Sequence, residues 1–124
     1  MVLLVQDAET ACEMSANWLL EIGNEVLEAA DGPTALDLLA APVHIDLLVT
    51  DVGLPNGPNG RQVAHATRER TPGLPVLFLS GLAGSALERQ LARGMQVIGK
   101  PFVLETLATR VRTLVGRFMD QALS

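Results

Sequence analysis

The chain has 124 residues, of which 48% are apolar and 19% charged, the make-up of one ordinary folded domain rather than a disordered chain. Its formal charge of -5 argues against duplex DNA as the main partner, because phosphate binding calls for a net basic face. The single cysteine, Cys12, excludes an intrachain disulfide and points to a reducing, cytoplasmic setting.

Taken in chain order, the first element is the apolar run Val2 to Val5, read as a buried strand. It is too short for a signal peptide and lacks a basic flank. No stretch approaches the roughly 20 apolar residues of a membrane span. Glu9 to Ile22 carries Ala11, Met14, Ser15, Trp18 and Ile22 at helical spacing, and Gly23-Asn24 ends that helix. Glu25 to Ala29 reads as a second strand. Asp31-Gly32-Pro33 opens a helix through Ala40, with Asp31 as its N-cap, and Pro42 stops it. Ile45 to Thr50 is a third strand, apolar at nearly every position. Asp51 to Gly60 is a loop rich in proline and glycine, with Asn59 a candidate cap for a third helix over Arg61 to Arg70. Leu74 to Leu79 reads as the fourth strand, Ser85 to Arg93 as the fourth helix and Met95 to Ile98 as the fifth strand. Val103 to Met119 is the longest helix, with Leu104, Leu107, Val111, Leu114, Val115 and Phe118 on one stripe.

Five strands thus alternate with five helices. Strands that are apolar throughout are buried on both faces, as a parallel sheet covered by helices requires. The expectation is a doubly wound α/β fold, a single domain over 1–124 with no repeat, linker or output domain. In such sheets ligands bind beyond the carboxyl ends of the strands. Those ends carry Gln6, Asp7 and Glu9 after the first strand, Asp51 after the third, Ser80 after the fourth, and Gly99-Lys100-Pro101 after the fifth. With Glu9 read as an acid at a helix N-terminus, two carboxylates, Asp7 and Asp51, a hydroxyl and an ammonium therefore converge on one edge.

Carboxylates held close repel each other, and a hard divalent cation with oxygen ligands relieves the repulsion. Mg²⁺ prefers one or two carboxylates, retained waters and a phosphate oxygen. A carboxylate is also a nucleophile able to form an aspartyl phosphate. Phosphoryl transfer needs positive charge around the equatorial oxygens, and the metal, Lys100 and the Ser80 hydroxyl are suited to supply it. Lys100 is the only lysine beside eight arginines, and it sits between a glycine and a proline. A compact ammonium there suits a single-point contact to phosphate or carboxylate.

These residues carry a resemblance. Asp7, Asp51 in "DLLVTDVGLPNGPNG", Ser80 in "VLFLSG" and Lys100 in "GKPF" resemble the signature of response-regulator receiver domains of two-component signalling, and "NEVLEAADGPTALDLL" is similar to their second strand and helix. The likeness runs over essentially the whole chain. It implies the flavodoxin-like receiver fold with strand order 2-1-3-4-5. It also implies that Asp51 takes a phosphoryl group from a phosphohistidine on a histidine kinase or histidine phosphotransfer protein. Asp7, Asp51 and the backbone carbonyl of Gly53 would ligate Mg²⁺. Ser80 would move to hydrogen-bond the phosphoryl group, and Lys100, before a cis proline bond, would pair with Asp51 and then with the phosphate. Such a domain is a regulatory phosphoacceptor rather than an enzyme. It would pass its signal to a downstream protein through the face of the fourth helix, fifth strand and fifth helix, as a monomer or weak homodimer. "LLVTDVGLPNGPNGRQVA" is similar to receivers of hybrid histidine kinases, and a stand-alone regulator fits equally.

Two positions depart from the family pattern. Gln6 stands where receivers usually carry the first of two acids; its amide can hold a metal-bound water but adds no charge, so weaker Mg²⁺ binding is expected. Val97 stands where receivers often place a Tyr or Phe whose rotation reports phosphorylation, leaving Ser80 and the Gly81 to Ser85 loop to carry the switch. Both departures favour an alternative: a pseudo-receiver acting as a phosphorylation-independent interaction module.

Other motifs fall away. Gly94 to Lys100 fits the start of a P-loop, but Pro101 has no hydroxyl for Mg²⁺ and the intervening residues read as a strand. A hydrolase elbow around Ser80 needs glycine where Phe78 stands. His44 and His65 lie away from the strand ends. Cys12 reads as a packing residue, Trp18 either as a packing residue on the sheet or as part of the face where receivers dock their kinase, and Arg89, Arg93, Arg110 and Arg112 as a solvated face open to a partner.

Overall fold

The computed structural model describes residues 2–6, 25–41, 44–54, 57–80, 94–99 and 104–123. Five strands, β1 (Val2–Val5), β2 (Val26–Ala29), β3 (Leu47–Asp51), β4 (Val76–Ser80) and β5 (Met95–Gly99), form one sheet in the order β2-β1-β3-β4-β5. Every pairing is parallel. The described helices are α1 (Gly32–Ala40), α2 (Gly60–Arg70) and α3 (Leu104–Leu123). The expected helices over 9–22 and 85–93 lie outside the described residues.

Burial follows position in the sheet. Every residue of the interior strands β1 and β3 is buried, whereas the edge strands β2 and β5 are only partly covered and carry Glu28 and Gln96. Alternation along the strands sends side chains into two cores. On one face Val2, Leu4, Val49, Leu77, Leu79 and Ile98 pack with Leu107, Val111 and Leu114 of α3. On the other, Leu3, Val5, Leu48, Val76 and Phe78 pack with Ala35 and Leu39 of α1 and Val63 and Ala64 of α2. Helices on both faces make the sheet doubly wound, as the alternation predicted.

Helix starts have local causes. The Asp31 side chain accepts from the Thr34 N–H at 2.9 Å, with Pro33 in the first turn of α1. Asn59 begins α2 with a full capping box: its side chain accepts from the Gln62 N–H at 3.0 Å, and its own N–H donates to Gln62 Oε1 at 2.8 Å. Behind α2, Thr71 to Leu74 turns with Pro72 second and Gly73 at φ 81°, closed by the Leu74 N–H on the Thr71 carbonyl at 3.1 Å.

Boundaries differ from the sequence reading in physical ways. β3 starts at Leu47, not Ile45, because Ile45 is buried in the second core ahead of the first paired residue. It ends one residue later, on Asp51 itself. β4 and β5 each run one residue further, closing on the Ser80–Gly99 pair. α3 continues to Leu123, since no Gly or Pro follows Met119 to stop it.

Candidate functional site

The strand order reverses direction at β1, which lies between β2 and β3. A crevice opens at such a switch point beyond the carboxyl ends. Val5 pairs with Thr50, so the next residues, Gln6 and Asp51, continue from adjacent strands at that crevice. Gln6 extends the ladder, its N–H donating to the Ala29 carbonyl at 3.0 Å. Asp51 pairs with Leu79 of β4. By parity both share the sheet face of Leu4 and Val49.

Burial makes this pair unusual. Asp51 is 5% exposed, and among the described residues it is the only charged side chain that is buried. Gln6 is 3% exposed, and its Oε1 has no hydrogen-bond partner among the described residues. An unsatisfied buried amide oxygen costs about 1–3 kcal/mol, so a donor from water or a hydrated cation would relieve it. The ligand oxygens in view are those of a carboxylate, an amide and the carbonyl of exposed Gly53, two residues after Asp51. All are oxygen ligands of the kind a hard cation takes. Among the described residues no group of three His, Cys, Asp or Glu gathers as a metal cluster.

The chain leaving Asp51 is tightly held. The Thr50 hydroxyl donates to the Asp51 carbonyl at 2.9 Å, and the Val52 N–H donates to the Leu79 carbonyl at 3.1 Å. The Gly60 N–H returns to the Val52 carbonyl at 2.9 Å. A Cβ on Gly60 would collide with the Asp51 carbonyl oxygen, so only glycine lets α2 start so close to the strand end. Further out, a Cβ on Gly32 would meet the Pro58 carbonyl, which seats the 57–59 segment on the start of α1.

Of the sequence-predicted site residues, Asp51, Gly53 and Gln6 are thus brought to one edge. Ser80 closes β4 opposite Gly99, which precedes Lys100. Asp7 and Lys100 lie outside the described residues. Val97 is 8% exposed and packs in the second core beside Phe78. His44 and His65 are exposed away from the site, on Asp46 at 2.9 Å and Glu69 at 3.0 Å.

Sequence reasoning passed over Thr50, Gly60, Gln62 and Arg68. The hydroxyl in an otherwise apolar strand and the glycine directly after a capping Asn were the available signals. Arg68 sits at the other end of the sheet. Its Nε donates to the Leu74 carbonyl at 2.9 Å, and desolvation lowers the guanidinium's pKa from its ordinary value. Its Nη2 is buried without a hydrogen-bond partner among the described residues and lies 3.0 Å from where a Gly94 Cβ would stand.

Comparison with known proteins agrees with the fold. Residues 2–112 match the family model for the response regulator receiver domain. The chain is 36% identical over 120 residues to the probable transcriptional regulatory protein TcrX of Mycobacterium tuberculosis, covering 94% of this chain and 50% of TcrX. It is 32% identical over 119 residues to the sensor kinase CckA of Brucella abortus, covering 94% of this chain and 12% of CckA. The chain therefore spans half or less of these curated relatives. Among solved structures, a response regulator receiver protein from Sinorhizobium medicae superposes with a TM-score of 0.88 at 28% identity, covering 94% of both chains. The receiver domain of the hybrid histidine kinase CckA gives 0.75 at 35% identity, covering 92% of this chain and 97% of that one.

Proposed function

The chain belongs to the response-regulator receiver family, and on that premise we propose that it is the phosphoacceptor of a two-component phosphorelay, with Asp51 as the residue phosphorylated. The observation that carries this reading is the buried carboxylate of Asp51 on the last residue of an interior strand, at the switch point of the sheet. A charge is not kept in such a place for solubility.

In the proposed step an Asp51 carboxylate oxygen forms a bond to phosphorus while the bond from phosphorus to the donor's histidine nitrogen breaks. The imidazole leaves with that electron pair, and an acyl phosphate remains on Asp51. Lys100 holds the carboxylate beforehand and the phosphoryl oxygens afterwards. The Ser80 hydroxyl donates to the transferred group. Asp7, Asp51 and the Gly53 carbonyl would hold Mg²⁺, which when bound neutralises charge on the phosphoryl oxygens. The oxygen ligands of the described edge fit such an ion, and the buried Gln6 Oε1, without a hydrogen-bond partner among the described residues, supports this reading.

The partners of this reading are a histidine kinase or phosphotransfer protein on the donor side and a downstream protein on the other, without direct nucleic-acid contact, in the cytoplasm. No helix among the described residues is long and apolar enough to cross a membrane. The output face is that of β5 and α3 with the fourth predicted helix. Arg110 of α3 donates to Gln96 of β5 at 2.6 Å there, among exposed Glu105, Thr106 and Thr109.

With acetyl phosphate as donor, the protein is expected to acquire an acid-stable, base-labile phosphoryl group when Mg²⁺ is present. Chelation with EDTA should abolish the uptake. Equal uptake with and without the cation would refute the metal assignment, and no uptake under any condition would favour the interaction module to which Gln6 and Val97 point.

A further inference from the structure

Thr50 is 0% exposed and pairs in register with Val5 on one side and Phe78 on the other. Valine has the same shape and would fill that place without burying a hydroxyl. The hydroxyl nevertheless has a specific partner, the carbonyl of Asp51 at 2.9 Å. That carbonyl and the Val52 N–H belong to one peptide unit, and the N–H is held by the Leu79 carbonyl at 3.1 Å. The unit leaving Asp51 is therefore fixed at its oxygen by Thr50 and at its nitrogen by β4, with Gly60 packed directly against the oxygen.

We infer that Thr50 is a positioning residue for the Asp51 carboxylate. The strand ladder already fixes the peptide before Asp51. Fixing the peptide after it as well removes the remaining backbone rotation at the residue, so the Cα–Cβ bond points in one direction. The same peptide leads into the bend at Val52 and Gly53. A nucleophile held in its attacking geometry reacts faster than one that must be found by rotation. Thr50 acts through the backbone and touches no phosphoryl oxygen. This role rests on the phosphoacceptor reading of Asp51.

The test compares Thr50→Val, which keeps the shape and removes the hydroxyl, with Thr50→Ser, which keeps the hydroxyl. Phosphoryl uptake from acetyl phosphate with Mg²⁺ is followed in time, and stability is read from the urea midpoint. The expected result is uptake slowed about fivefold or more in Thr50→Val, with the urea midpoint lowered but the protein still folded under assay conditions, and near wild-type uptake in Thr50→Ser. If Thr50→Val fails to fold, Thr50→Ala against Thr50→Ser makes the same comparison, with the alanine variant slow and the serine variant fast. Equal rates in the variants with and without the hydroxyl would overturn the positioning role while leaving the phosphoacceptor reading intact. A wild-type protein that takes no phosphoryl group overturns the reading itself, and the role of Thr50 with it.

Discussion

Gln6 and Asp51 divide the chemistry of the site between an amide and a carboxylate. A glutamate in place of Gln6 would add a second buried negative charge beside Asp51. Like charges destabilise the metal-free fold and strengthen the hold on a cation. Gln6→Glu is therefore expected to bind Mg²⁺ about tenfold more tightly, ~1.4 kcal/mol, and to unfold at lower urea in EDTA. Calorimetric titration and a urea melt read the two effects, and an affinity that hardly changes would contradict the role given to the amide. At this scale the sequence was legible where chemistry is rare: one acid after an apolar strand, Asp51, is buried at the strand end. Thr50 left only a weak signal, a lone hydroxyl in an apolar strand, because threonine is an ordinary strand residue and its bond to the Asp51 carbonyl appears only in the fold.

At the scale of elements, α2 is a clamp on the strand end as well as a crossover helix. Its first turn is held by the reciprocal bonds of Asn59 and Gln62, and its first residue, Gly60, lies against the carbonyl of Asp51. Asn59→Ala removes the cap acceptor and is expected to cost about 1 kcal/mol, read as a lowered urea midpoint at unchanged slope. A midpoint shift indistinguishable from zero would show that the box contributes nothing to stability. The caps at Asp31 and Asn59 were readable from residue type alone. The boundaries were less so: the apolar run from Ile45 gives no sign of where pairing begins, and the apolar stripe of the last helix ends before its hydrogen bonds do.

Across the whole molecule, the interior strands bury both faces, and that demand is written into the sequence as continuous apolar runs. A parallel sheet covered by helices follows from it; the order β2-β1-β3-β4-β5 and the flavodoxin-like receiver architecture were implied by the family resemblance and are what the structure shows. The same topology brings position 6 to position 51, and position 80 to position 99, from stretches far apart in the chain. The completion of the site by Asp7 and Lys100 was read from strand ends and family resemblance, and it falls to solution chemistry to test.

The central claim is that this edge of the sheet exists to receive a phosphoryl group on one particular carboxylate. Intact-mass measurement after incubation with acetyl phosphate and Mg²⁺ addresses it most directly, with wild type and Asp51→Asn side by side. The account predicts a gain of a single phosphoryl group in the wild-type chain and none in the variant. An unchanged wild-type mass, or an adduct that persists in Asp51→Asn, would contradict it.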